Sequence, residues 1–216
     1  MVILLVLIWL FSLILAVNVV TSTSAPFTTL VADRNMLVHF LQRLTGLLAF
    51  TLLFFQLVIG SAMPFLRKRL GKWLLSFHQL EGAFAYVLIV LHPMFFILFN
   101  YGLTNKLDPF YVFTDFCALC SKQIEYFYTF GRVAFWLVTL AVVAAKLRSS
   151  LFLRNSWRKL HSLNYLVFFL VAFHAYFVGT DVSKSPFVFV YFLYVTIAAV
   201  LVVARCFRLV KDRKQD

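Results

Sequence analysis

The sequence has few charged residues and little glycine. Asp, Glu, Lys and Arg make up 13% of the 216 residues, and only 7 residues are Gly whereas 27 are Phe. A soluble domain carries about a quarter charged residues, so this shortage of charge argues against one. The low glycine and high phenylalanine content also argues against a loop-rich or disordered chain. These shortages place the chain in a lipid bilayer.

Long apolar runs are the main feature that is present. The chain is 63% hydrophobic, with a mean hydropathy of +0.92. A membrane-spanning helix needs about 20 mainly apolar residues, whereas the strands of a membrane barrel are short and alternating. We therefore predict an all-α integral membrane bundle of six transmembrane helices. The six runs cover roughly 2–20, 38–63, 74–100, 129–147, 160–179 and 186–207. No basic residue precedes the first run, which is expected to be a retained helix rather than a signal peptide.

Acidic residues are also scarce, at 8 against 20 basic residues, and the net charge is +12. Most basic residues lie at or beyond the ends of the second, fourth and sixth runs. They are Arg67, Lys68, Arg69, Lys72, Lys146, Arg148, Arg154, Arg158, Lys159, Arg205, Arg208, Lys211, Arg213 and Lys214. In an alternating chain these segments share one side, so the positive-inside rule predicts that both termini are cytoplasmic. Charge confined to short juxtamembrane loops argues against nucleic acid binding and suits anionic lipid or an acidic partner.

Four of the 5 histidines lie in the third and fifth apolar runs. His78 and His92 are 14 residues apart in the third run, and His161 and His174 are 13 apart in the fifth. Both runs cross in the same direction, and each spacing corresponds to roughly 20 Å along a helix. By depth, His78 should therefore pair with His161, and His92 with His174. An ionisable residue at such a position is a functional candidate.

Two neutral imidazoles that face each other across a helix bundle suit the iron of a porphyrin. Zinc requires three or four ligands around one ion, which pairs roughly 20 Å apart cannot supply. A spacing of 13 misses the starting helix face by about 140°. The fifth helix must therefore bend, or the two cofactors must approach it from different sides. Local hydrogen bonding by each histidine is the alternative.

The two histidine pairs and "WRKLHSLNY" before the fifth run resemble the ferric reductase-like transmembrane family. This family includes ferric reductases, the membrane part of NADPH oxidases and, closest in form, the small bacterial haem-binding subunit of periplasmic methionine sulfoxide reductase. The resemblance covers about residues 39–180. It implies two haem b groups, an inner one with axial ligands His78 and His161 and an outer one with His92 and His174. It also implies a multi-pass protein of the bacterial inner membrane.

The predicted organisation has four parts: residues 1–37 form the first helix and an outer loop, 38–180 the haem-binding core, 181–207 the sixth helix and 208–216 a basic cytoplasmic tail. Larger family members carry a flavin and nicotinamide module, but this sequence has no G-x-G-x-x-G motif. A separate flavoprotein reductase or membrane quinol is therefore the expected electron donor. Ferric iron or an outer-face redox protein is the expected acceptor. The resemblance implies either a ferric reductase-like oxidoreductase or its electron-transfer subunit.

Other residues near the predicted haems have two interpretations each. Arg43 lies where the oxidase relatives carry an arginine near the outer haem, so it contacts a propionate or anionic acceptor, or is an interfacial cation. His39, one turn earlier, could contribute there or lie at the interface. Phe96 replaces a histidine of those oxidases, which argues against direct oxygen reduction. Glu81 should interact with the His78 imidazole or a quinol, or pair with a basic residue.

Cys117 and Cys120 form a C-x-x-C pair in the loop after the third run. Ser121 follows in place of histidine, which excludes a haem c attachment motif. An inert disulfide, a redox-active one and free thiols all stay open.

Two further functions also stay open. The first is a proton or metal-ion transporter that uses the intramembrane histidines and Glu81. The second is a haem-bearing structural subunit of a larger complex.

Overall fold

The computed structural model describes residues 2–117 and 119–213, and every regular element in these residues is a helix. The helices are α1 (Val2–Ser22), α2 (Phe27–Ala32), α3 (Arg34–Leu70), α4 (Trp73–Thr104), α5 (Pro109–Thr114), α6 (Gln123–Lys146), α7 (Trp157–His161), α8 (Asn164–Val178) and α9 (Phe187–Arg213). Six spans are long and apolar enough to cross a membrane: α1, α3, α4, α6, α7 with α8, and α9. The prediction of an all-helical chain with six such spans is confirmed.

The central helix α3 is longer than its predicted run of 38–63. It starts at Arg34 because the Asp33 carboxylate accepts hydrogen bonds from the backbone N–H groups of Asn35 and Met36, at 2.8 and 3.1 Å. It ends at Leu70 because Gly71 takes a φ of 71°, in the region that favours glycine. Hydropathy alone marks neither end, because both the cap and the basic last turn lie outside the apolar residues.

Helix α3 packs against α1, α4, α8 and α9, and α6 packs against α8. The core between these helices is rich in aromatic rings. The rings of Phe54 and Tyr194 stack with their centroids 3.8 Å apart, and the rings of Phe50 and Phe168 stack at 5.5 Å. Because α3 contacts four other spans, it is the element against which α4 and α8 are positioned.

The bundle has two ends that differ in charge. One end, which we call the basic end, holds residues 67–72 and 146–159, between α3 and α4 and between α6 and α7. The opposite end holds the end of α1, the start of α3, helices α2 and α5, and the turn between α8 and α9, where Ser24, Arg43 and Asp181 meet. Helices α2 and α5 are short and were not predicted.

The fifth span is two helices. Helix α7 ends at His161, Ser162 and Leu163 follow, and α8 begins at Asn164. This break lies between His161 and His174, where the spacing of 13 residues required a bend or two directions of approach. Residues 34–37, predicted as loop, belong to α3. Helix α9 continues through most of the predicted tail 208–216, of which 214–216 lie outside the described residues.

Candidate functional site

The structure brings the four histidines together in the two expected pairs. The ring centroids of His92 and His174 are 6.3 Å apart with an interplanar angle of 83°. Those of His78 and His161 are also 6.3 Å apart, at 87°. We call these the 92/174 pair and the 78/161 pair. The 92/174 pair lies toward the opposite end of the bundle, and the 78/161 pair lies toward the basic end.

The separation of the rings suits one metal ion between each pair. An imidazole nitrogen binds a metal ion such as zinc at about 2.0–2.1 Å, and the nitrogen lies roughly 1 Å from its ring centre. Two rings opposed across one ion would therefore have centres about 6.2 Å apart. Both pairs show a separation of 6.3 Å.

Backbone carbonyls orient both rings of the 92/174 pair. Nδ1 of His92 donates to the Gln42 carbonyl oxygen at 2.8 Å, and Nδ1 of His174 donates to the Phe127 carbonyl oxygen at 2.9 Å. A carbonyl only accepts hydrogen bonds, so each Nδ1 must carry the proton. Each Nε2 is then the nitrogen with the free lone pair, which is the form that ligates a metal.

A glycine faces each ring of the 92/174 pair. Gly46 follows Gln42 by four residues on α3, and Gly131 follows Phe127 by four residues on α6. A Cβ at Gly46 would lie 2.7 Å from Nδ1 of His92, and one at Gly131 would lie 2.8 Å from Nδ1 of His174. Any other residue would therefore push the ring away from its carbonyl. Sequence reasoning missed both glycines, although a glycine inside an apolar run was a visible signal.

The 78/161 pair has weaker support. Nδ1 of His161 lies 3.5 Å from the Ala141 carbonyl oxygen and 3.4 Å from the Asn164 side-chain amide. Both distances are at the limit of a hydrogen bond. Nδ1 of His78 is buried and has no hydrogen-bond partner in residues 2–117 and 119–213. The tautomers of this pair are therefore less firmly fixed by the protein.

The arrangement of a backbone carbonyl and a glycine four residues later, seen twice at the 92/174 pair, is only partly present at the 78/161 pair. Gly60 faces His78, and a Cβ there would lie 3.6 Å from the ring, an ordinary contact. Gln56 lies four residues before Gly60, but its side-chain amide donates to the His78 carbonyl oxygen at 2.8 Å. On α6, the residue four after Ala141 is Ala145 rather than glycine. The close approach seen at the 92/174 pair is not repeated.

Glu81 has other partners than those expected. It is buried, at 4% exposure, on α4. Its carboxylate accepts a hydrogen bond from Trp9 Nε1 at 3.4 Å and another from the Gln56 amide. The sequence had suggested the His78 imidazole, a quinol or a basic residue. In the structure this carboxylate links α4 to α1 and α3, and through Gln56 to the backbone of His78.

A cavity of about 340 Å³ contains the 92/174 pair. This volume falls within the range of small-molecule and cofactor sites, about 300–1,000 Å³. Its walls come from α3, α4, α5, α6, α8 and the turn after α8. The apolar wall residues include Leu47, Phe50, Leu53, Ile89, Phe96, Phe99, Phe113, Val138, Val167 and Val171. Gly46, Gly131, Arg43 and Arg132 also line it.

Arg43 lies in the cavity wall, but its guanidinium is already hydrogen-bonded to other side chains of the protein. Nε donates to the Asp181 carboxylate at 2.9 Å, Nη1 donates to Ser24 Oγ at 3.2 Å, and Nη2 bonds Asp181 and Thr23. The ion pair joins α3 to the turn after α8. Asp181 is 138 residues away in the sequence, so sequence reasoning did not predict this pair. His39 lines the same cavity and stacks on Phe99 at 4.6 Å.

Arg132 is a second cation in the cavity wall, and the sequence did not single it out. It is 6% exposed and lies over the Tyr111 ring, 4.8 Å from the centroid. Glu125 accepts a hydrogen bond from the Tyr111 hydroxyl at 3.0 Å. Burial raises the pKa of Tyr111 to about 12, and the hydrogen bond to Glu125 acts in the same direction. Tyr111 therefore stays protonated as a donor at neutral pH.

Cys117 and Cys120 form the disulfide that the sequence allowed. The Cys117 N–H donates to Thr129 Oγ1 and the Cys120 N–H donates to the Tyr126 hydroxyl, both at 3.2 Å. These bonds fix the loop to the first turns of α6. Cys206 is an exposed free thiol.

No family model, curated protein or solved structure matches this chain. The described residues also contain no group of three or more His, Cys, Asp or Glu that could hold a metal ion by themselves. Each histidine pair therefore places two imidazole rings near each other without a third residue of these types beside them in the described part of the chain.

Proposed function

We propose that this protein is a transmembrane cytochrome b that transfers electrons through two haem b groups. His78 and His161 would be the axial ligands of the inner haem, and His92 and His174 those of the outer haem. The observation that carries the proposal is the repeated geometry, since two histidine pairs at two depths have the same ring separation of 6.3 Å.

The residues of the 92/174 pair fit such a group. The cavity is mainly apolar, as a porphyrin requires, and both rings stand at its wall. Gly46 and Gly131 leave the space in which the rings reach their carbonyls. The carbonyls hold the proton at Nδ1 and so keep Nε2 available. When bound, a haem supplies an iron centre that accepts and releases one electron.

The 78/161 pair fits by its equal ring separation. Here the chain contributes a glycine at ordinary contact distance and a hydrogen bond from Gln56 to the His78 backbone. Two sites at two levels would let electrons cross a layer that otherwise insulates.

The direction of transfer is part of the proposal. The basic end would face the cytoplasm, in keeping with the positive-inside rule, and both termini would lie there. A separate flavoprotein reductase or membrane quinol would donate electrons at that end. Ferric iron or a redox protein would accept them at the opposite end, outside a bacterial inner membrane. The lipid bilayer surrounds the exposed apolar residues of the six spans.

The ion-transport alternative gains no support from the contacts of Glu81. A relay would need this carboxylate to exchange protons with the histidines, but it bonds Trp9 and Gln56. We therefore propose one function.

The test is a visible spectrum of the purified full chain in detergent. A reduced-minus-oxidised difference spectrum should show sharp b-type bands, and extraction of the haem should give two per chain. A purified, folded chain without haem bands, even after incubation with haem, would contradict the proposal.

A further inference from the structure

The most unusual buried group outside the two pairs is the guanidinium of Arg132. This residue follows Gly131 directly, lines the cavity of the 92/174 pair and is 6% exposed. Its Nη1 is buried and has no hydrogen-bond partner among the described residues. A buried charged donor without a partner is costly, so the position calls for an anion.

Glu125 does not meet that need. Its Oε2 lies 3.8 Å from Nη1 of Arg132, too far for a hydrogen bond, and Oε2 is itself buried without a partner in the described part of the chain. Its other oxygen accepts from Tyr111. The two groups therefore attract each other without forming the short, forked contact that an arginine and a carboxylate prefer.

Two aromatic rings lie beside the guanidinium of Arg132. Arg132 Cζ lies 4.8 Å from the Tyr111 ring centroid and 5.9 Å from that of Tyr128. Rings hold an arginine through cation–π attraction and take no N–H group. The donors of Arg132 thus remain available to a ligand in the cavity.

Arg43 provides the contrast within the same cavity. Each nitrogen of its guanidinium bonds Asp181, Thr23 or Ser24. An anion would have to displace these bonds to bind Arg43. At Arg132 it would accept a hydrogen bond from Nη1, which has no partner among the described residues. Of these two arginines, Arg132 on α6 is therefore the one whose N–H groups can still bind an anion in this cavity.

We propose that Arg132 binds a carboxylate inside the cavity. The inference rests on the proposed function, because the cavity is the site of the outer haem. The carboxylate has two possible sources, a propionate of that haem or a carboxylate of a soluble acceptor such as chelated ferric iron. In both cases the planar guanidinium makes a forked contact that lysine cannot make.

The test uses the haem-loaded full chain and the variants Arg132→Gln, Glu125→Gln and their double. The double variant is the decisive one, because it removes both members of the Arg132–Glu125 pair and so leaves the local net charge as it was. Lys122→Gln is the matched control, since it removes one exposed cation near the start of the same helix. Haem content, the midpoint potential of each haem, and KM for ferric citrate and for cationic hexaammineruthenium(III) are measured.

With a propionate as the ligand, the double variant loses the outer haem or lowers its potential by about 59 mV or more, a tenfold change in a one-electron equilibrium. With an acceptor carboxylate, its potentials are unchanged, KM for ferric citrate rises several-fold and KM for the ruthenium complex does not. Arg132→Lys should show the same effects in weaker form, which provides a second reading if the glutamine variants fold poorly.

A double variant that equals the unmodified chain in haem content, potentials and both KM values would overturn the inference, because Arg132 would then serve only Glu125. An unmodified chain without haem would instead overturn the proposed function, and the inference with it. The two failures are thus distinguished by the spectrum of the unmodified chain.

Discussion

The two histidine pairs have the same ring separation but different supports. At the 92/174 pair, both rings donate to backbone carbonyls at 2.8 and 2.9 Å, and a glycine faces each ring. At the 78/161 pair, one ring is 3.5 Å from its carbonyl and the other Nδ1 has no partner in the described residues. The protein therefore orients both imidazoles of the 92/174 pair by its own hydrogen bonds, and it holds those of the 78/161 pair less firmly.

Removal of one ligand should have the largest effect. We expect His92→Ala and His78→Ala each to lose about half of the bound haem, because in the proposed arrangement each pair holds one haem and the variant removes one of its two axial ligands. Haem per chain and the difference spectrum measure this loss. His39→Ala shows the effect of losing an imidazole that lines the same cavity but is not an axial ligand, since this fifth histidine stacks on Phe99 and belongs to neither pair. Full haem retention in His92→Ala would contradict the assignment of two pairs.

Adding one methyl group at Gly46 or Gly131 should affect the 92/174 pair and leave the 78/161 pair unchanged. Gly46→Ala and Gly131→Ala place a Cβ at 2.7 or 2.8 Å from a histidine nitrogen, so the ring must leave its carbonyl. We expect the haem of the 92/174 pair to be lost or spectrally broadened, while the other haem is retained.

Gly60→Ala is the matched control, because its Cβ would meet His78 at an ordinary 3.6 Å. Alanine is also the better helix former by about 1 kcal/mol, so this variant should be at least as stable. Equal haem loss in all three variants would show that the close approach at Gly46 and Gly131 has no special role.

The sequence predicted the features that depend on one helix at a time. Run length is enough to predict six spans, and spacing along α4 and α7–α8 is enough to pair the histidines by depth. It did not predict features that depend on which helices are neighbours. Asp181 meets Arg43 across 138 residues, and Trp9 meets Glu81 across 72. The glycine contacts were missed for the same reason, since each requires knowing which ring faces which turn.

A smaller effect is expected from Gln56. Its side-chain amide donates both to the His78 carbonyl oxygen and to the Glu81 carboxylate. Gln56→Leu keeps the approximate size but leaves a buried carboxylate short of a donor, which costs about 1–3 kcal/mol. We expect reduced thermal stability and weaker haem retention at the 78/161 pair alone.

The double variant Gln56→Leu/Glu81→Leu is the control for Gln56. It removes the unpaired carboxylate, so it should recover most of the stability while His78 remains without its backbone contact. If Gln56→Leu weakened both haems equally, a general loss of packing would explain the result better.

The smallest effect should come from making the 78/161 pair more like the 92/174 pair. Ala145 follows Ala141 by four residues, as Gly131 follows Phe127, so Ala145→Gly supplies on α6 the glycine that this level lacks. If the methyl group limits the approach of His161, its Nδ1 should move closer to the Ala141 carbonyl than 3.5 Å. We expect a modestly slower loss of the inner haem to an external acceptor, against a cost of about 0.5–1 kcal/mol for glycine inside a helix. Ala144→Gly, one position earlier on α6, carries the same helix cost without the correct register, and it also removes a buried methyl group because Ala144 is 1% exposed. Equal haem loss rates in these two variants would mean that something other than the residue at position 145 keeps His161 from its carbonyl.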